Sequence, residues 1–178
     1  MRIISGTHKS RIITAPRNLP VRPTTDYAKE SLFNILNNNF DYPALKILDL
    51  FSGTGNITYE FASRGCNEIT AVDNNYNCAS FIKKTVLEFE FKGVRAIKSD
   101  VFGFLKNCTG NFDLIFADPP YEMDGIEKIP GIIFEKKLLK ENGWLIIEHS
   151  VKTIFSKKEH LIQKRNYGSV NFSIFGMK

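Results

Sequence analysis

The sequence predicts an α/β fold, built on a mostly parallel β-sheet that finishes with an antiparallel hairpin. Apolar segments alternate with amphipathic segments from Leu45 onward, which is typical of strands that alternate with helices. The apolar segments are continuous rather than alternating, as expected of strands buried on both faces. With 178 residues, 43% of them hydrophobic, the chain is long enough for one large core and too short for two. We therefore expect a single domain.

Residues 1–40 precede this alternating pattern and form an extension to it. Residues 2–15 contain two apolar arms around the turn-like sequence "GTHK", which predicts a β-hairpin. Residues 24–26 are suited to capping a helix. One face of that helix is apolar and carries Ala28, Leu32, Ile35 and Leu36. The extension should therefore be a hairpin followed by a helix.

Residues 41–178 contain the remaining elements and form the expected core domain. Strands are predicted at residues 45–51, 68–73, 94–100, 112–118 and 143–149, with helices near residues 56–64, 75–90, 101–107 and 125–140. Gly65 should end the first of these helices, and Pro130 should break the last one or delay its start. Residues 160–168 and 169–177 then predict two strands joined by a tight turn near Gly168, which gives a sheet of seven strands.

The charge of the chain is unevenly distributed. The formal net charge is +5, and residues 1–25 contain five basic residues and no acidic residue. Residues 152–178 contain six basic residues and one acidic residue, so the middle of the chain is net acidic. Basic ends favour a polyanionic partner such as RNA, although basic termini also serve solubility alone. The candidate RNA-binding residues in the extension are Arg2, Lys9, Arg11, Arg17 and Arg22.

The cysteines, histidines and apolar segments exclude several other classes of protein. Three widely spaced cysteines, Cys66, Cys78 and Cys108, fit a reducing compartment and a packing role. The three histidines are scattered, so we expect no metal site. No apolar run approaches the roughly 18 residues of a membrane span, and the first residues lack the apolar segment of a signal peptide. We expect a cytoplasmic monomer that does not bind membranes.

A glycine-containing loop follows the first predicted strand, within "LDLFSGTGNI". In a parallel α/β sheet, such a loop lies where ligands bind. The third glycine of the dinucleotide fingerprint is replaced by Thr58, so a pyrophosphate site is poorly supported. An acidic residue just before the loop instead favours a ligand with a cationic end, such as S-adenosylmethionine. The candidate cofactor-binding residues here are Asp49, Phe51, Ser52, Gly53, Thr54 and Gly55.

Acidic residues also end the next predicted strands. Asp73, followed by Asn74, lies about 20 residues after the loop, where an acid typically binds ribose hydroxyls. Asp100 could accept a hydrogen bond from an adenine amino group, while Val101 offers apolar surface to the ring. Each acid alone is better explained as a helix cap or an exposed strand end. Together with the glycine loop, they predict an adenosine-cofactor site.

The sequence "IFADPPYE", residues 115–122, ends the fourth predicted strand with the candidate catalytic residues Asp118, Pro119, Pro120 and Tyr121. The exocyclic amine of a nucleobase is a poor nucleophile, because its lone pair is delocalised into the ring. The Asp118 carboxylate and the Pro119 carbonyl could each accept one amino hydrogen and so localise that lone pair. Two prolines would hold the carbonyl rigidly, and the Tyr121 ring could stack on the base.

Three motifs in this order, "DLFSGTGN", "AVD" and "ADPPY", resemble those of class I S-adenosylmethionine-dependent methyltransferases that modify amines. The N-terminal "MRIISGTHKSR" and "VRPTTDYAKESLFNIL", with the C-terminal "YG", resemble more specifically the RsmD family of 16S ribosomal RNA guanine-N2 methyltransferases. This resemblance covers nearly the whole chain. The chain departs from the family pattern at Thr58, at Asp73 and in the "YGSV" sequence.

The resemblance implies a Rossmann-like class I fold, S-adenosylmethionine as the cofactor and methylation of a loop guanine in 16S RNA of the small ribosomal subunit. It also implies that Thr24 and Thr25 lie near the cofactor and that the basic hairpin approaches RNA. Unpaired bases in RNA loops are accessible to such a site.

Other functions remain open at this point. The same amine-binding motif serves adenine-N6 methyltransferases, although the short chain has no separate recognition domain. A protein glutamine methyltransferase usually begins this motif with asparagine. A nicotinamide-dependent oxidoreductase would lack the third glycine, and a non-catalytic RNA-binding protein is a further possibility. The sequence also leaves open whether Glu148, His149 and Tyr167 line the site.

Overall fold

The computed structural model describes residues 1–16, 19, 26–155, 159–168 and 170–177. Four predicted site residues, Arg17, Arg22, Thr24 and Thr25, lie outside the described residues.

The described chain contains five α-helices and seven β-strands. The helices are α1 (Asp26–Asn37), α2 (Asn56–Ser63), α3 (Tyr76–Glu88), α4 (Val101–Asn107) and α5 (Ile129–Glu135). The strands are β1 (Lys46–Leu50), β2 (Glu68–Asp73), β3 (Val94–Lys98), β4 (Phe112–Ala117), β5 (Leu139–His149), β6 (Leu161–Tyr167) and β7 (Val170–Gly176). Short 3-10 helices cover Tyr42–Ala44 and Ile126–Lys128.

The strands form one sheet in the order β3-β2-β1-β4-β5-β7-β6. The pairs among β1 to β5 are parallel, and β7 runs antiparallel to both of its neighbours. The predicted class I methyltransferase fold, with its antiparallel C-terminal hairpin, is therefore confirmed. The chain reverses its direction of progress across the sheet between β1 and β4, so the carboxyl ends of these two strands flank the crevice in which such sheets bind ligands.

Both faces of the sheet are covered by helices. On one face Leu48 and Leu50 pack in a cluster with residues of α4 and α5, and on the other Ile47 packs with residues of α1 and α2. Because successive side chains of a strand point to opposite faces, Asp49 lies on the same face as Ile47, towards α2. The apolar face predicted for α1 is confirmed, since Ala28, Leu32 and Leu36 are fully buried.

Several element boundaries differ from the prediction. The helix expected at residues 125–140 begins as a 3-10 turn, becomes α-helical at Ile129 with Pro130 in its first turn, and ends at Glu135. Lys137 adopts a left-handed conformation with φ 54°, which ends the helix and lets β5 begin at Leu139 rather than at residue 143. The third strand ends at Lys98, two residues early.

The predicted N-terminal hairpin is confirmed: the Ile3 amide donates to the Arg11 carbonyl at 2.9 Å, and an antiparallel bridge joins Arg2 and Ile12. Part of the backbone is hydrogen-bonded to α2 instead of to the opposite arm. The Ile4 and Ser5 amides donate to the Glu60 carboxylate, at 2.8 and 3.0 Å, and the Thr7 amide donates to the Ser63 carbonyl at 2.7 Å. The N-terminal segment is thus fastened to the helix that follows the glycine loop.

In the part of the chain that the structure describes, no helix has the length and apolar character needed to cross a membrane. The same residues contain no cluster of three or more histidine, cysteine or acidic side chains arranged to hold a metal ion. Cys66 and Cys78 are buried, and burial raises the pKa of the Cys66 thiol to about 12. These two cysteines are packing residues, as predicted.

Candidate active site

The glycine loop between β1 and α2 is a tight turn with three residues in left-handed conformations. Their φ angles are 58° at Phe51, 51° at Gly53 and 85° at Gly55. A Cβ atom on Gly55 would lie 2.6 Å from the ring of Tyr59, so this position requires glycine both for its backbone angle and for space. The Ser52 amide donates to the Val72 carbonyl at 3.0 Å, which holds the loop against the end of β2.

Asp73, the last residue of β2, fixes the loop from the other side. Its Oδ2 accepts a hydrogen bond from the Gly53 amide and its Oδ1 accepts one from the Asn75 amide, both at 2.8 Å. Each carboxylate oxygen retains a second lone pair. Asp73 therefore shapes the loop and still has the acceptors predicted for ribose hydroxyls, while its neighbour Asn74 is exposed. The contact with a ribose stays a prediction.

Asp49 is almost completely buried, with 1% of its surface exposed. Burial, together with the nearby acids Asp118 and Asp73, raises the pKa of this carboxyl to about 7. The Thr58 hydroxyl donates to Oδ2 at 2.5 Å and opposes this effect. A cation placed beside Asp49 would favour its ionised form, which suits the predicted ligand with a positively charged end.

Thr58 explains one departure of the sequence from the glycine fingerprint. Its side chain is fully buried in α2, and its hydroxyl reaches Asp49 across the loop. A glycine at this position could not make that hydrogen bond. The spacing of Asp49 and Thr58, from a strand end to the first turn of the next helix, is the signal that could have suggested the contact.

Other predicted cofactor residues make structural contacts. Asp100 is the N-cap of α4, where its Oδ2 accepts from the Gly103 amide at 2.7 Å, and Val101 is buried in the core. The Thr54 hydroxyl lies 4.0 Å from the Met1 sulfur and is buried beneath the N-terminal segment. Direct contacts of these residues with a cofactor stay predictions.

The Asp118–Pro119–Pro120–Tyr121 turn begins where β4 ends. The Asp118 amide donates to the Leu50 carbonyl of β1 at 3.3 Å, so this turn lies directly beside the glycine loop. Pro119 is buried, and the Pro120 carbonyl accepts from the Met123 amide at 2.9 Å, which closes the turn. The structure therefore brings the predicted catalytic motif next to Asp49.

Tyr121 lies at the mouth of the site, with 42% of its surface exposed. Its hydroxyl donates to Oε1 of Glu148 at 3.0 Å. This hydrogen bond holds the ring at its polar end and leaves part of its surface to solvent. An anchored, partly exposed aromatic ring is suited to stacking on a base.

Glu148 is a site residue whose role the sequence left open. Ala117 of β4 pairs with Ile147 of β5, so residues 118 and 148 follow side by side at the carboxyl ends of these strands. Glu148 is only 4% exposed, and burial together with the nearby Asp118 raises its pKa to about 8. In the sequence, Glu148 is recognisable only as an acidic residue that follows an apolar segment. Its position beside Asp118 depends on the register of β4 with β5.

The basic candidates that the structure describes lie on the N-terminal segment. Arg2 forms an exposed ion pair with Asp26 at 3.4 Å, and Arg11 lies over the Phe89 ring, 5.8 Å from its centroid. Lys9 is exposed. All three are accessible to a polyanion, and their contact with RNA stays a prediction.

A buried ion pair fixes this segment to the glycine loop. Lys29 of α1 and Glu60 of α2 are both fully buried, with their charged atoms 3.5 Å apart. The Lys29 ammonium also donates to the Arg2 carbonyl and to Oδ1 of Asn56, at 2.5 and 2.9 Å. Asn56 is the first residue of α2 and directly follows the glycine loop. The N-terminal segment and the glycine loop are therefore held in a fixed position relative to each other.

Comparison with known proteins identifies the family to which the chain belongs. A family model described as conserved hypothetical protein 95 matches residues 1–176. The Bacillus subtilis protein YlbH is 32% identical, and the alignment covers 98% of both chains. Ribosomal RNA small subunit methyltransferase D of Buchnera aphidicola (subspecies Baizongia pistaciae) is 30% identical, with 83% of this chain and 75% of that protein aligned.

A solved structure of a hypothetical protein from Thermus thermophilus superimposes with a TM-score of 0.85 at 24% identity and covers 99% of both chains. This likeness shows that the fold is shared. Because the family model spans nearly every position and the relatives align over most of their length, the chain belongs to the RsmD family of S-adenosylmethionine-dependent methyltransferases.

Proposed function

We propose that the chain methylates the exocyclic N2 amine of a guanine in 16S ribosomal RNA, with S-adenosylmethionine as the methyl donor. The observation that carries this proposal is the position of the Asp118 turn, hydrogen-bonded to the end of β1 beside the glycine loop. An amine-binding motif and a candidate cofactor loop thereby share one crevice.

The residues around the loop fit S-adenosylmethionine. The Ser52 hydroxyl is buried and has no hydrogen-bond partner among the described residues, so it is available to a ligand. Asp49 would lie towards the cationic end of the cofactor, and Asp73 towards the ribose. When bound, the cofactor supplies a methyl group activated by its sulfonium.

Asp118 and the Pro119 carbonyl would hold the two hydrogens of the target amine. Because both groups are acceptors, they would direct the nitrogen lone pair away from themselves and towards the methyl donor. Asp118 would also stabilise the positive charge that develops on the nitrogen. Tyr121, anchored by Glu148, would restrain the plane of the base.

Two observations support ribosomal RNA as the substrate. The Buchnera relative is named as a methyltransferase of the small ribosomal subunit RNA. In this chain, Lys9 and Arg11 are exposed on a segment that is fastened to α2, and lysine and arginine neutralise RNA phosphates.

The proposal is tested by nucleoside mass spectrometry of 16S RNA from a strain that lacks the gene and from its parent. We expect N2-methylguanosine to be reduced by one residue per 16S molecule in the deletion strain and restored by the wild-type gene. Restoration should fail with Asp118→Ala and succeed with Asp124→Ala, a matched control in the exposed part of the same loop. Loss of N6-methyladenosine instead would indicate an adenine methyltransferase, and an unchanged nucleoside profile would contradict methylation of 16S RNA.

A further inference from the structure

Glu148 has a feature that the proposed methyl transfer does not use. Its Oε1 accepts the hydrogen bond from the Tyr121 hydroxyl, whereas its Oε2 is buried and has no hydrogen-bond partner among the described residues. A buried polar atom without a hydrogen-bond partner is destabilising. The presence of such an atom beside Asp118 therefore points to a ligand that forms the missing hydrogen bond.

The surroundings of Glu148 favour its neutral form. Asp118 faces it from the end of β4, Tyr121 from the turn, and the paired residue on β7 is the uncharged Phe172. Among the residues that the structure describes, the charged group that shifts its pKa is the Asp118 carboxylate, which is negative. The pKa is raised to about 8, so the carboxyl carries a proton at neutral pH. Because Oε1 accepts from Tyr121, that proton resides on Oε2.

We propose that Glu148 acts as a neutral carboxylic acid whose Oε2 hydroxyl donates a hydrogen bond to the ring nitrogen beside the amine that is methylated. This inference rests on the proposed function and adds a second contact to the same base. Asp118 accepts from the amine and Glu148 donates to the adjacent ring nitrogen, which in guanine is N3. The two side chains together match the N–C=N edge of the base.

The protonation state of Glu148 decides which edge of the base fits. A neutral Glu148 beside an ionised Asp118 offers one donor and one acceptor, which match N3 and the N2 amine of guanine. Two ionised carboxylates would offer only acceptors, and these would match the N1–H and the N2 amine instead. The neutral form therefore directs recognition to the N3 side of guanine.

The test compares Glu148→Gln, Glu148→Ala and a control, Glu141→Gln, on the exposed part of the same strand. The kcat and KM for small-subunit particles are measured from pH 6.5 to 9.5, with thermal melting to confirm folding. A glutamine side chain keeps a donor at this position and an acceptor for Tyr121. We expect Glu148→Gln to recover most of the turnover lost in Glu148→Ala, a loss of roughly tenfold for one hydrogen bond.

The pH profile separates the proposed donor from a purely structural residue. Wild-type protein and Glu141→Gln should lose activity as the pH rises through about 8, where Glu148 ionises, whereas Glu148→Gln should not. An inactive but folded Glu148→Gln protein, or wild-type activity that increases through this range, would overturn the proposal, because an ionised Glu148 would then be the working form.

A second measurement is independent of activity. In the ¹³C spectrum of protein labelled at the glutamate carboxyls, the resonance that disappears in Glu148→Gln should titrate with a midpoint near 8. A midpoint below about 6 would refute the neutral form. Wild-type protein that transfers no methyl group to RNA would refute the proposed function, whereas active wild-type beside inactive Glu148→Gln refutes only the role of Glu148.

Discussion

The buried Asp49 predicts that the affinity for S-adenosylmethionine depends strongly on pH. Its pKa is raised to about 7, chiefly by burial and also by Asp118 and Asp73. If the ionised form binds the cationic end of the cofactor, the apparent affinity is reduced by the fraction of protein in which Asp49 is protonated. Affinity should therefore increase as the pH rises through about 7.

The size of the effect follows from the ionised fraction. With a pKa of about 7, Asp49 is ionised in about 10% of molecules at pH 6 and in about 75% at pH 7.5, so Kd should fall about eightfold over this range. Measurements should stop near pH 7.5, because an α-amino group such as that of the cofactor has a pKa of about 7.7 to 8.0 and is half deprotonated there.

Isothermal titration calorimetry at several pH values, in two buffers with different ionisation enthalpies, checks this prediction. Binding at pH 6 should release nearly one proton, which the difference between the buffers reports directly. Asp49→Asn keeps an acceptor for the Thr58 hydroxyl but has no charge, so its affinity should be low and independent of pH. Adenosine, which lacks the cationic end, is the ligand control.

A constant Kd across this range, with no proton released, would refute the placement of the cationic end beside Asp49. The same pH dependence in Asp49→Asn would assign it to a different group.

Three further predictions concern stability and RNA binding. Gly55→Ala should destabilise the protein by about 1–3 kcal/mol, because Gly55 has a φ of 85° and an added Cβ would contact Tyr59. Gly131→Ala should be neutral or stabilising in thermal melts, because an added Cβ there would have no atom within 4 Å. Glu60→Gln should cost about 3–5 kcal/mol in urea unfolding, since it leaves the buried Lys29 charge without its partner; a loss below about 1 kcal/mol would contradict this. Arg11→Ala should weaken RNA binding and lower its salt dependence by about one ion, and an unchanged salt slope would place Arg11 away from the RNA.

The fold was largely predictable because its main signals are local. Continuous apolar strands separated by amphipathic helices gave the parallel sheet, and a strand pair joined at Gly168 gave the final hairpin. The order of the strands in the sheet does not follow from such patterns, and only the structure gives it. The boundary errors arose at residues whose conformation depends on the fold, such as Lys137, whose left-handed backbone ends α5.

The candidate site was predictable only where a residue type has a fixed place relative to a strand end. Asp49, Asp73 and Asp118 were identified because they follow apolar strands, and the structure gathers their carboxyls in one crevice. The sequence could not show that Glu148 belongs to the site, because its position beside Asp118 depends on the register of β4 with β5. The hydrogen bonds from the N-terminal backbone to Glu60 could not be predicted from the sequence either, since 55 or more residues separate the partners.

The acids of the site lower the stability of the empty protein at high pH. Asp49 and Glu148 have folded-state pKa values of about 7 and about 8, above their ordinary values of 3.8 and 4.5. At these two carboxyls the folded protein therefore binds more protons than the unfolded chain, and the stability that they contribute below about pH 4 is progressively lost as the pH rises to about 8. A cation beside Asp49 and a base that accepts from Glu148 would each offset part of this loss. Asp49 and Glu148 thus destabilise the folded protein at neutral pH, and they are the residues proposed to bind the cofactor and the base, which argues that their burial serves ligand binding rather than folding.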